Sequence, residues 1–141
     1  MTIDKNLIAE VVSSDADLAV FTVWLNPVVC DALLDLSGDE NVELHHSEHF
    51  GVAQGLVVWM ALGTCISKWK PSRGPFTGDF AFEGFAKVGE VVTVRLMPGE
   101  KVKTIICEII NEAGVVFKAT TKLANGAGML RAAKMAARFA A

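Results

Sequence analysis

The chain has 141 residues, 52% hydrophobic and 21% charged, with 12 Gly and only 4 Pro. That is the length of one domain and a composition able to build a core, which excludes disordered and fibrous classes. Its formal charge of −3 lacks the positive field used to hold phosphate backbones, so no nucleic acid is expected as a partner.

Cys30, Cys65 and Cys107 stand singly in apolar runs with no CxxC pair, which fits a reducing cytoplasm. The first residues carry no basic start, apolar stretch and cleavage site of an export signal. Residues 17–25 (DLAVFTVWL) are rich in β-branched and aromatic side chains and predict a strand. It stops at Asn26-Pro27, where Pro can open a helix because its missing N–H would be unpaired anyway. Val28, Val29, Ala32, Leu33 and Leu36 then recur at helical spacing, and Ser37-Gly38-Asp39 closes a helix of about three turns.

A polar loop over residues 39–49 leads to residues 51–67, which carry no charge. With Gln54, Thr64, Ser67 and three Gly, the run falls short of the about 20 apolar residues of a membrane span. It predicts a helix over residues 51–69, buried on every side and closed by Lys68, Lys70 and Pro71. Period-two alternation then predicts strands over residues 74–87, 90–98, 101–112 and 115–123, the last three as an antiparallel meander. In the first of them Phe76, Phe80 and Phe82 share one face, and Thr77, Asp79 and Glu83 the other. The Ala- and Met-rich tail, with Arg131, Lys134 and Arg138 near one face, predicts a terminal helix. The chain thus divides into a domain over residues 1–125 and a helical extension over residues 126–141.

All three His of the chain, His45, His46 and His49, fall within five residues. The window of residues 31–50 around them holds six acids (Asp31, Asp35, Asp39, Glu40, Glu43, Glu48) and no Lys or Arg. A solvated acidic loop is the bland explanation. The position argues for chemistry, because the cluster precedes the start of the apolar helix, where unpaired N–H groups and the helix dipole stabilise negative charge. The string His45-His46-Ser47-Glu48-His49 also reads HxxEH, the inverted zinc-protease pattern. That pattern needs two His one turn apart on a helix, a further ligand and a cleft, whereas Phe50-Gly51 follows at once, so no metal is expected. Lys68, Lys70 and Arg73 suit a helix C-terminus, with coenzyme A phosphates as a second use. Trp59, Trp69 and Cys65 read as packing residues.

The order strand, short helix, long helix, four strands resembles the hot-dog fold, an α+β architecture in which an antiparallel β-sheet wraps one long buried α-helix. Three stretches resemble hot-dog enzymes in particular. Leu36-Ser37-Gly38-Asp39-Glu40-Asn41, with His45 and His46 beyond, is similar to the LSGDxN-then-His signature of MaoC-like (R)-specific enoyl-CoA hydratases, with Val42 standing where that pattern has Pro. Phe50-Gly51-Val52-Ala53-Gln54-Gly55 resembles the start of the hot-dog helix, FGxPIA(H/Q)G in the hydratases and GxxHGG in thioesterases of the phenylacetate-pathway type. Residues 82–90 (FEGFAKVGE) resemble the F-x-x-P-A-x-x-G-D strand common to both.

The resemblance implies an enzyme acting on an acyl thioester of coenzyme A or a carrier protein. The thioester carbonyl would lie over the N–H of Gly55, with Gln54 in the place of a family His and Phe82 alongside. A water would be activated by Glu48, Asp39 or one of His45, His46 and His49. Attack on the carbonyl gives hydrolysis, the leading expectation; addition to a neighbouring double bond gives hydration, the runner-up; a non-catalytic acyl-binding subunit is third. No carboxylate lies in residues 51–67, where many thioesterases carry one. No cofactor is implied beyond the coenzyme A of the substrate. An uncharged helix and open sheet edges need cover, so a cytoplasmic homo-oligomer, dimer or dimer of dimers, is expected.

Overall fold

Alternation of buried and outward side chains sets the sheet. In β2 (Ala19–Trp24) Ala19, Phe21 and Val23 are buried; β4 (Val91–Pro98) buries Val92, Val94 and Leu96, and β5 (Thr104–Asn111) buries Ile105, Cys107 and Ile109. With β1 (Ala9–Ser14), β3 (Phe76–Phe82) and β6 (Gly114–Leu123) these form one six-stranded sheet in the order β1-β2-β4-β5-β6-β3. Every pairing is antiparallel. The expected meander is β4-β5-β6, and β3 returns to pair with β6.

This computed structural model describes residues 7–38, 40–70, 76–101 and 103–123. The expected terminal helix over residues 126–141, with Arg131, Lys134 and Arg138, lies outside the described residues, as do Asp39 and Arg73.

Three helices are described: α1 (Pro27–Ser37), α2 (Val42–His45) and α3 (Gly55–Trp69). The Asn26 side chain accepts from the N–H of Val28 at 3.0 Å and caps α1, which starts at Pro27 as its sequence requires. Val57, Val58, Ala61, Leu62, Cys65 and Ile66 of α3 form one buried stripe against the sheet. No described helix is long and apolar enough to cross a membrane.

Several expectations need correction. α3 is buried on one side only: Leu56, Ser67 and Lys68 are exposed, and Trp59, Met60, Gly63 and Thr64 are half-buried. One chain's sheet covers one face of a helix. The helix also begins at Gly55 and not at residue 51, because residues 51–53 send their backbone bonds elsewhere. Val52 N–H donates to the carbonyl of Leu44 (2.9 Å), Ala53 N–H to that of Ala86 (2.8 Å), and Val88 N–H to that of Gly51 (2.6 Å). Gly51 has φ +67°, a left-handed turn that suits Gly and stops a helix from running through it. The loop over residues 39–49 contains the one-turn α2. The first late strand ends at Phe82, since the N–H groups of Glu83 and Gly84 both turn to the carbonyl of Val116. Finally, β1 lies in a stretch given no element; after Ala9 all its residues are exposed, so it carries no one-sided pattern to read.

Candidate active site

The segment between α1 and α3 is built outward from α1. Burial of Val29, Cys30 and Leu34 fixes that helix, and Asp31 then reaches the turn after α2. Its carboxylate accepts from the Ser47 N–H (3.0 Å) and the Ser47 hydroxyl (2.5 Å), and Nε2 of His46 lies 3.7 Å from it. Nδ1 of His46 accepts from the Glu48 N–H at 3.1 Å, which puts the ring proton of the neutral imidazole on Nε2, facing Asp31. The His49 ring meets that of His46 edge-on, centroids 5.8 Å apart. Asp31 and His46 thus clamp the turn, while Glu48 and His49 are exposed on its outside.

His45, the last residue of α2, is placed differently. Its Nδ1 lies 2.8 Å from the carbonyl oxygen of Val52. A carbonyl only accepts, so Nδ1 carries the proton and Nε2 is the basic nitrogen of the neutral ring. Val52 stands three residues before Gly55, between α2 on one side and residues 86–88 on the other. His45 is in this way anchored to the start of α3.

At that start Gln54 is the N-cap residue, and its side chain makes no cap hydrogen bond. Its Nε2 donates instead to the Ser37 hydroxyl (2.9 Å), which donates to the Leu34 carbonyl (3.0 Å), tying α3 to the end of α1. The carbonyl of Gln54 receives the N–H groups of Val57 and Val58. The N–H groups of Gly55 and Leu56, ahead of them, have no acceptor within the helix, as in any first turn. Gly55 is exposed, and a Cβ there would lie 3.4 Å from Cζ of Phe82. The absent side chain thus leaves the backbone open to close approach beneath an aromatic ring. Phe82 packs on Phe117 (5.1 Å) and Phe80 (5.9 Å), and Phe80 on Trp59 (5.5 Å).

Of the expected site residues, His45, Gln54, Gly55 and Phe82 are gathered about the start of α3. His46 is turned back onto Asp31, Glu48 and His49 point outward, and Asp39 lies outside the described residues. Asp31, Ser47 and Ser37 were not singled out by sequence; their contacts span 16 or 17 residues, and no local spacing signals them. The HxxEH string does not lie on a helix, because α2 stops at His45. Among the described residues no three His, Cys, Asp or Glu side chains lie together as metal ligands.

Burial pushes the thiols up, Cys30 to about 11, with the Asp31 charge adding to it, and Cys65 and Cys107 to about 12. None is a nucleophile at neutral pH. Lys68 donates to the carbonyl of Ala9, and the Lys70 ammonium sits 4.6 Å from the centre of the Trp69 ring.

No protein-family model matches the chain, and no curated protein does. Solved structures do resemble it. The (R)-hydratase from A. caviae involved in PHA biosynthesis is 19% identical with a TM-score of 0.61, over 80% of this chain and 99% of that one. An unliganded R-hydratase from Pseudomonas aeruginosa is 17% identical with a TM-score of 0.62, over 78% and 80%. The PaaI protein from the phenylacetic acid degradation operon of E. coli is 14% identical with a TM-score of 0.52, over 81% and 82%. These are hot-dog fold proteins, and the chain has the hot-dog fold.

Proposed function

We propose that this chain is an enzyme acting on thioesters of coenzyme A or a carrier protein, and that it adds water to an enoyl thioester. The observation that carries the reading is the bond from His45 Nδ1–H to the Val52 carbonyl. With the proton on Nδ1, Nε2 is the basic nitrogen of a ring anchored to Val52, three residues before the glycine-bearing N-terminus of α3. The thioester carbonyl accepts from the N–H groups of Gly55 and Leu56, which stabilise the enolate that forms when water adds. His45 Nε2 takes a proton from water as the oxygen bonds to the β-carbon, and the imidazolium returns that proton to the α-carbon. Water and thioester suffice; no cofactor takes part, and the setting is the cytoplasm.

Sequence alone put hydrolysis ahead. That order rests on the short loop before Gly51 and on how common thioesterases are among small hot-dog proteins; an exposed Glu48 on the outside of its turn supports a hydrolytic base less well than a fixed His45 supports hydration. Incubation with saturated acyl-CoAs and enoyl-CoAs tests the reading. Loss of enoyl absorbance without thiol release is the expected result. Thiol release from saturated substrates would reinstate hydrolysis, and binding with neither change would make the chain an acyl-binding subunit.

A further inference from the structure

Residues 42–52, which carry His45, close on themselves. The N–H groups of His46, His49, Phe50 and Val52 donate to the carbonyls of Val42, His46, Glu43 and Leu44 at 2.9–3.2 Å, and His45 Nδ1–H reaches the Val52 carbonyl. No residue of α2 is buried, so apolar burial does little to seat this unit, and its polar attachments decide how it sits. At one end Gly51 and Ala53 pair with Val88 and Ala86. Nearer the middle, Ser47 gives both its N–H and its hydroxyl to the Asp31 carboxylate, at 3.0 and 2.5 Å, and His46 Nε2 lies 3.7 Å from the same group.

Asp31 stands on α1, the helix that also holds the start of α3, since Gln54 Nε2 donates to the Ser37 hydroxyl. One helix thus supports both halves of the candidate site: the loop with His45 through Asp31, and the N-terminus of α3 through Ser37, about 9 Å further along. α1 is itself anchored by buried Val29, Cys30 and Leu34. Resting on the hydration reading above, we propose that Asp31 is a positioning residue: through Ser47 it seats the loop so that His45 keeps its place relative to the N–H groups of Gly55 and Leu56. A carboxylate suits this role, because its charge strengthens both bonds to Ser47. Without it the loop can pivot about residues 51–53, and a misplacement of about 1 Å costs about 100-fold in rate.

Asp31→Ala removes the acceptor, whereas Asp31→Asn keeps its shape: the amide oxygen accepts from the Ser47 N–H and the amide nitrogen donates to the Ser47 hydroxyl. Val94→Ala, in the buried face of β4, is a destabilised control away from the site. Steady-state turnover of an enoyl-CoA, calorimetric binding of a saturated acyl-CoA and backbone amide hydrogen exchange are measured for the natural chain and the three variants. Asp31→Ala is expected to lower kcat about 100-fold with KM and acyl-CoA binding within about threefold, and Asp31→Asn to stay within about tenfold of the natural chain. The amides of Ser47, Phe50 and Val52 should exchange at least about tenfold faster in Asp31→Ala, with those of Val57 and Val58 unchanged. An equal loss of kcat in Val94→Ala marks general destabilisation and overturns the assignment. Asp31→Asn no better than Asp31→Ala also overturns it, since the charge and not the bonds to Ser47 would then matter. Undiminished kcat in Asp31→Ala overturns the positioning role and leaves the hydration reading standing; no turnover by the natural chain overturns both.

Discussion

His45 and Glu48 stand three residues apart in different surroundings. The half-buried imidazole has its proton fixed by the Val52 carbonyl, whereas the Glu48 side chain is exposed and its backbone N–H is what contacts His46. His45→Ala is therefore expected to lower kcat on an enoyl-CoA at least about 100-fold with substrate binding retained, and Glu48→Gln to lower it less than about fivefold. Steady-state kinetics of the two variants decide: the opposite ranking would return the base to the loop carboxylate. The distinction was not legible in the sequence, where all three His and six acids share one window. Which His faces a carbonyl and which a carboxylate depends on Asp31 and Val52, brought there by the folding of α1 and of residues 86–88.

At the scale of elements, legibility followed one-sided burial. β2, β4, β5 and β6 were readable because alternate residues face the core, and α1 because Pro27 and Gly38 bracket it. β1 was not, since both of its faces are open beyond Ala9. The start of α3 was misplaced because residues 51–53 are as apolar as the helix they precede; only their bonds to Leu44 and Ala86 distinguish them. Burial of Cys65 on α3 and Cys107 on β5 has a measurable effect. Their folded pKa values of about 12, and about 11 for Cys30, lie above the ordinary 9.0. Below pH 9 both folded and unfolded thiols are protonated and stability is unaffected; above it the unfolded chain loses protons that the native one keeps, so stability falls as pH rises from 9 toward 11 to 12. Thermal unfolding across that range should report the decline, and at pH 8 a thiol reagent should find no reactive cysteine until denaturant exposes all three. Rapid labelling of the native protein would contradict this burial.

For the molecule as a whole, the described residues leave apolar surface where the site lies. Leu56 on α3 and Phe80 and Phe82 on the edge strand β3 are 44%, 56% and 50% exposed. Adjacent apolar side chains beside an open strand edge are what a second copy would cover. Light scattering at micromolar concentration should give the mass of two or more chains, and a stable single-chain mass would refute this. The backbone of residues 51–53 carries one last consequence, for changes in chain length. Val52 is pinned to Leu44 on one side and Ala53 to Ala86 on the other, so an inserted or deleted residue here would break the pairing on at least one side and carry His45 away from Gly55. In the turn after His46, Ser47 is tied to Asp31 and Phe50 to the carbonyl of Glu43, while Glu48 and His49 between them are exposed. Related chains of different length are expected to absorb the difference in that turn, lengthening the loop while the spacing from Val52 to Gly55 stays fixed.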